Sequence, residues 1–111
     1  MKPFAALLFL LAVVISNQAN AQVKVIKDLG FAEVDGHSLK LDLYMPQSEG
    51  IKSQPLIVWV HGGAWRKGSK SKMPLRDLLA EGFAIASVDY RLTPVAKFPA
   101  NVHDIKAAIR W

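Results

Sequence analysis

Two short apolar runs constrain this chain more than anything else in it. Leu56-Ile57-Val58-Trp59-Val60 and Phe83-Ala84-Ile85-Ala86-Ser87-Val88 are almost unbroken by polar residues. A strand with one wet face alternates, whereas a strand covered on both faces does not. These runs therefore predict buried strands of a parallel sheet. Between them, Met73 to Glu81 predicts a helix. Ser71 is a candidate N-cap, Pro74 suits the first turn, and Leu75, Leu78 and Leu79 share a face. Gly82 can close its C-terminus. Strand, helix and strand within about 35 residues make a βαβ unit, expected to be right-handed.

The flanks follow different rules. Val23 to Ile26 and Phe31 to Val34 read as strand-like segments, and Asp35-Gly36 suits a tight hairpin turn. Leu39 to Tyr44 alternates apolar and polar, the period of a half-buried strand. An antiparallel pair therefore precedes the parallel unit. Gln47 to Gln54 is polar and reads as a surface loop. Beyond Pro94 and Pro99 a last helix is expected from about Ala100, with Val102, Ile105, Ala108 and Ile109 on one face. Trp111 falls in mid-pattern with no cap, so residues 22–111 are expected to be the N-terminal part of a larger α/β domain.

Residues 1–21 have a separate logic. Lys2 precedes an apolar run from Phe4 to Ile15, and the segment closes on Ala19-Asn20-Ala21. A charged start, an apolar middle and a small-residue exit predict a secretory signal cleaved after Ala21. The run is too short to span a bilayer, which takes about 20 residues. The mature protein is thus expected in the periplasm or outside the cell, without a stable membrane anchor. The segment also inflates the 51% hydrophobic fraction. Without cysteine there is no disulfide framework and no thiolate metal site. A net charge of +5, part of it from Lys2, points to no particular partner.

The chemistry is expected where the first apolar run stops at His61-Gly62-Gly63-Ala64-Trp65. Parallel sheets collect ligands at the carboxyl ends of their strands. Glycines there let backbone approach a substrate closely. Backbone N–H groups aimed at a developing oxyanion stabilise the tetrahedral intermediate of acyl transfer.

Residues 56–65, followed by Gly68-Ser69, resemble the oxyanion segment of the α/β-hydrolase superfamily. More narrowly they resemble its acetyl esterase/lipase and bacterial feruloyl-esterase-like group. Leu41-Asp42-Leu43-Tyr44-Met45-Pro46 is similar to the second strand of that group. Val88-Asp89-Tyr90-Arg91-Leu92-Thr93-Pro94 is similar to its fourth-strand exit. Phe98-Pro99-Ala100 with Asp104 to Trp111 is similar to the helix before its nucleophile strand. The resemblance implies an α/β-hydrolase fold and hydrolysis of short acyl or hydroxycinnamoyl esters, free or carbohydrate-linked, without a cofactor. It implies oxyanion donors among the N–H groups of Gly62, Gly63 and Ala64, with His61 and Trp65 supporting the loop. Peptidases and arylformamidases share this half of the fold.

The chain has no G-x-S-x-G pentapeptide. In this fold the serine, acid and histidine follow in that order. All three are expected beyond Trp111, which leaves this chain inactive by itself. The implied strand order puts Leu56–Val60 beside a further strand, and an unpaired edge there predicts poor solubility.

Other motifs carry less. Gly63 and Gly68 have P-loop spacing, but Ser69 stands where lysine is required. Arg66, Lys67, Lys70 and Lys72 read as a solvated loop beside a pocket rather than a nucleic-acid surface. Asp89 precedes the expected serine, so it reads as a partner of Arg91 or a local backbone cap rather than the triad acid. His103-Asp104 lacks a third metal ligand, and His37 beside the turn reads as exposed. From another class, a small exported binding protein could use the glycine loop to hold an anion.

Overall fold

The computed structural model describes residues 23–46 and 53–111. The expected signal segment and most of the Gln47–Gln54 loop lie outside the described residues. Strand β1 (Val23–Val34) pairs antiparallel with β2 (His37–Pro46). Asp35 and Gly36 join them with φ of 49° and 77°. A type I′ turn needs positive φ at both central positions, which is why Asp-Gly serves here. The two expected segments of β1 are one strand, with register shifts between Ile26 and Leu29 and between Gly30 and Ala32. Asp28, at φ 58°, sits in the first shift and donates its N–H to Asp42 Oδ1 at 2.9 Å.

Strands β3 (Leu56–Val60) and β4 (Ala84–Val88) run parallel, from Leu56 opposite Ala84 to Val60 opposite Val88. The sheet order is β1-β2-β4-β3, with β2 and β4 antiparallel. β4 is buried at all five positions, as its apolar run predicts. β3 departs from the same expectation. It is half-buried at its centre, and Leu56 is 55% exposed. The cause is position: β4 has a neighbour on each side, while β3 is the edge of the described sheet.

Side chains alternate across the sheet. On one face Tyr44 and Ile85 pack with Met73 and Leu79, flanked by Leu75 and Leu78. On the other, Leu39, Leu41 and Val88 pack with Phe31 and Ala108. A hollow of about 460 Å³ remains on that second face beside Leu43, Val58 and Trp111.

The crossover helix is shorter than expected. α1 covers only Asp77–Ala80, with Arg76 at its N-cap. Ser71 lies instead in a 3-10 turn, Lys70–Lys72, capped by Ser69 Oγ accepting from the Ser71 N–H. Lys70 is bonded to the sheet through backbone and side chain, and Met73, which precedes Pro74, is extended at φ −62° and ψ 117°, so the α-helix starts later. The second helix, α2 (Ala100–Arg110), starts where expected. Its buried positions are Asn101, Asp104 and Ala108, while Ile109 is 64% exposed. The apolar stripe is rotated because two polar side chains take the inner face. Asn101 Nδ2 donates to Arg91 O and Ala96 O, and Asp104 binds Arg91.

Candidate active site

The parallel register places whatever follows β3 beside whatever follows β4. His61 to Trp65 therefore lies against Asp89 to Thr93. His61 is 5% exposed and stacks on Tyr90, with ring centroids 4.4 Å apart and planes 11° from parallel. Trp65 meets the same ring edge-on at 5.4 Å, and its carbonyl accepts from the Thr93 N–H at 2.8 Å. His61 Nδ1 lies 2.8 Å from Gly62 O. A carbonyl only accepts, so this contact requires the proton on Nδ1. Nε2 then faces Asp89 Oδ1 at 4.0 Å. Burial, and after it the charge of Asp89, pushes the Tyr90 phenol above its ordinary pKa.

Three consecutive carbonyls of the loop are engaged in hydrogen bonds. His61 O accepts from the Tyr90 hydroxyl at 2.9 Å. Gly62 O accepts from His61 Nδ1, and Gly63 O accepts from the N–H groups of Arg66 and Lys67 at 3.0 and 3.2 Å. In a trans peptide the C=O and the next N–H point in opposite directions. Holding these carbonyls therefore turns the N–H groups of Gly62, Gly63 and Ala64 away from the donors that the carbonyls face. Among the described residues those three N–H groups have no acceptor.

The backbone takes this path through Gly63, Ala64, Trp65 and Gly68, with φ of 127°, 55°, 64° and 98°. Positive φ at Ala64 and Trp65 is uncommon for residues with a Cβ. Two glycines are steric requirements. A Cβ on Gly63 would land on Lys67 O, and one on Gly68 would land on Gly62 O and His61 Nδ1. Gly62 differs: a Cβ there would meet nothing within 4 Å, and its φ is not positive.

The basic cluster does not hold together. Arg66, Lys67 and Lys72 are exposed, but Lys70 turns inward onto Asp42 and Asp28, with Nζ 2.8 Å from each. Asp89, expected to cap local backbone, accepts instead from the distant Lys70 N–H, at 2.7 Å. Arg91, expected as its partner, binds Asp104 instead, through Nε at 2.9 Å and Nη2 at 2.8 Å. Ser87 Oγ donates to Lys70 O at 2.6 Å, and Ser69 and Ser71 hydrogen-bond each other at 2.5 Å. His37 is exposed, and His103 is exposed while Asp104 is buried.

Tyr90 and Lys70 are the residues that sequence reasoning missed. A signal for Tyr90 existed: parallel strands ending in register bring the residue after one run beside the glycines after the other. No comparable signal pointed to Lys70.

Residues 41–111 match the BD-FAE family. Esterase LipC of Mycobacterium tuberculosis (strain ATCC 25618 / H37Rv) is 35% identical over 74 residues, which are 64% of this chain and 18% of that protein. Ethyl acetate hydrolase of Pseudomonas putida is 36% identical over 90 residues, 78% of this chain and 28% of that protein. Among solved structures, esterase B from Lactobacillus Rhamnosis (HN001) superimposes with a TM-score of 0.69 at 27% identity. That match covers 80% of this chain and 29% of the esterase. The chain spans less than a third of the length of each of these relatives.

Proposed function

The chain belongs to the BD-FAE family and has the architecture of the α/β-hydrolase esterases, and from that premise we propose that it supplies the oxyanion half of a serine ester hydrolase. The N–H groups of Gly62, Gly63 and Ala64 are the donors in this reading, and His61, Tyr90 and Trp65 are their support. The observation that carries it is the set of three consecutive carbonyls at the carboxyl end of β3 that are held by hydrogen bonds while the N–H groups sharing their peptides have no acceptor among the described residues. An acyl carbon attacked beside this loop would place its new negative charge on an oxygen facing preorganised donors. Each such donor is worth about 2.7–4 kcal/mol in the transition state. His61 supports the loop in this reading and is not the base: its ring is buried in a stack on Tyr90, with Nδ1 bonded to Gly62 O and Nε2 facing Asp89.

The nucleophile, acid and base lie outside residues 1–111 in this proposal, since no G-x-S-x-G occurs in them. The substrate class is a short acyl or hydroxycinnamoyl ester, free or carbohydrate-linked, and water resolves the acyl-enzyme. Residues 1–21 direct export, and the mature protein begins at Gln22.

The test has two arms. The 111-residue chain should leave p-nitrophenyl acetate at the blank rate, and turnover by the pure chain would reject that part. An open reading frame that continues past Trp111 into G-x-S-x-G should yield an esterase whose kcat falls by about two orders of magnitude when the loop is disrupted. A frame that stops at Trp111, with anion binding by the loop, would favour the binding protein instead. N-terminal sequencing of the exported product checks the cleavage site.

A further inference from the structure

We infer that Lys70 is a positioning residue for the Gly63 N–H, held in place by Asp42 and Asp28. The inference rests on the oxyanion reading of the loop and adds the element that sets its direction.

Lys70 makes four polar attachments. Its Nζ lies 2.8 Å from Asp42 Oδ1 on β2 and 2.8 Å from Asp28 Oδ1 in the bulge of β1. Its N–H donates to Asp89 Oδ1 at the end of β4, and its carbonyl accepts from Ser87 Oγ on β4. One residue is thus tied to three strands, and its side chain is only 12% exposed. Asp42 is fully buried, and its Oδ1 also accepts the Asp28 N–H. A buried carboxylate left without its cation is strongly unfavourable, so Asp42 holds the ammonium in one place.

Two residues upstream, Gly68 packs so closely under the loop that a Cβ would land on Gly62 O and His61 Nδ1. Only Ser69 separates Gly68 from Lys70, so pinning Lys70 restricts where Gly68 can sit. Gly68 and the His61 Nδ1–H together fix the direction of Gly62 O. That oxygen belongs to the same planar peptide as the Gly63 N–H, so setting one sets the other. The linkage runs Asp42, Lys70, Gly68, Gly62 O, Gly63 N–H; its steps are contacts or a shared peptide plane, except that Lys70 reaches Gly68 through the chain at Ser69.

The experiment is NMR on the ¹⁵N-labelled 111-residue chain, comparing wild type with Lys70→Met, Lys70→Arg and Asp28→Asn. Lys70→Met should shift the Gly63 and Ala64 amide resonances and the His61 Nδ1–H resonance. It should also speed exchange of the Arg66 and Lys67 amides, which donate to Gly63 O, by about tenfold. The amides of Ile105 to Ala108 in α2 should keep their protection. Lys70→Arg, which retains the cation, should restore most of the loop signals. A folded Lys70→Met chain with unchanged Gly63 and Arg66 signals would overturn the inference.

If Lys70→Met also loses protection in α2, Asp28→Asn decides. Asp28 is exposed, and asparagine tolerates its positive φ, so the fold survives. Arg66 and Lys67 exchange should then rise roughly threefold with α2 unaffected. No change at those two amides would reject the linkage. None of these readouts needs ester hydrolysis, so they stand or fall separately from the esterase reading.

Discussion

Arg91 and Lys70 each tie the segment after a parallel strand to a buried aspartate, but only Arg91 satisfies its partner completely. Asp104 Oδ2 accepts from the Arg91 N–H and Nε, and Oδ1 accepts from Nη2. A fourth donor, Nη1, reaches Asp35 at the hairpin turn. Lys70 meets Asp42 at one oxygen, and Asp42 Oδ2 has no partner among the described residues. The chemistry of the cations explains this. Guanidinium is a planar fork matched to a carboxylate, whereas ammonium is a point charge on a flexible stem. The fork suits the scaffold joint, where β4, α2 and the hairpin must keep one geometry. The point charge holds a loop whose backbone is already strained through Ala64 and Trp65.

The largest effect should come from breaking the fork. Arg91→Met leaves Asp104 buried without its cation and frees α2 from β4. Removing one partner of a buried pair typically costs 3–5 kcal/mol, and about 3 kcal/mol is expected here because Arg91 retains some solvent contact. Arg91→Lys should recover less than half of it, because one ammonium cannot replace donors on two oxygens. Urea unfolding followed by tryptophan fluorescence measures both. If Lys70→Met proves more destabilising than Arg91→Met, the ranking of the two joints is inverted.

The next effect approaches the Lys70 joint from its other end. Gly68→Ala meets two obstacles, a φ of 98° and the atoms of Gly62 and His61. A strained backbone position of this kind costs about 1–3 kcal/mol, so a loss near 2 kcal/mol is expected. Gly62→Ala should change stability by less than about 0.5 kcal/mol, because its Cβ would enter open space at an ordinary φ. The fold does not need glycine at 62; in the proposed reading the open space in front of it admits the substrate. In an active longer protein, Gly62→Ala should lower kcat while leaving the melting temperature unchanged. Equal melting losses for the two substitutions would remove that distinction.

Much of this arrangement was legible in the sequence, for identifiable reasons. Asp35-Gly36 marks its turn because few dipeptides tolerate two positive φ values, and α2 starts at Ala100 just after Pro99. Gly62-Gly63 marks a tight loop because position 63 has positive φ and no room for a Cβ. Three features depart from expectation. The same apolar pattern gives a central strand in β4 and a half-exposed edge in β3, since neighbours across a sheet are not written in a local run. The helix expected from Met73 shrank to Asp77–Ala80: Met73 precedes Pro74 and is extended, at φ −62° and ψ 117°, which keeps the first expected turn out of the helix. Arg91 chose Asp104 over the nearer Asp89 because the first turns of α2 carry that carboxylate to it, a tertiary fact that proximity in sequence hides.

The smallest effect, and the one that separates the joints most cleanly, is their dependence on pH. Burial alone would lower the pKa of Lys70, but its hydrogen bonds to Asp28 and Asp42, with their charges, leave it above the ordinary lysine value. A cation whose pKa is raised by folding contributes stability that is complete below its unfolded pKa, about 10.4. That contribution is lost as pH rises through the folded value. Arg91 is also raised, first by its hydrogen bond to Asp104, yet it stays charged throughout the accessible range. Alkaline titration should therefore loosen the Lys70 joint and spare the Arg91 joint. Tyr90 titrates in the same direction, so the comparison needs Tyr90→Phe as a background. On that background, stability should decline above about pH 10 in the parent and stay flatter in Lys70→Arg. On the acid side, Asp28 is held below the ordinary carboxylate pKa, first by its hydrogen bond to Lys70. Its contribution is present above its unfolded pKa and fades as pH falls through the folded one, so Asp28→Asn should flatten the acid limb. Alkaline limbs that coincide for Lys and Arg at position 70 would mean that the ammonium does not hold the loop, leaving Asp89 and Ser87 to fix the backbone of residue 70 without it.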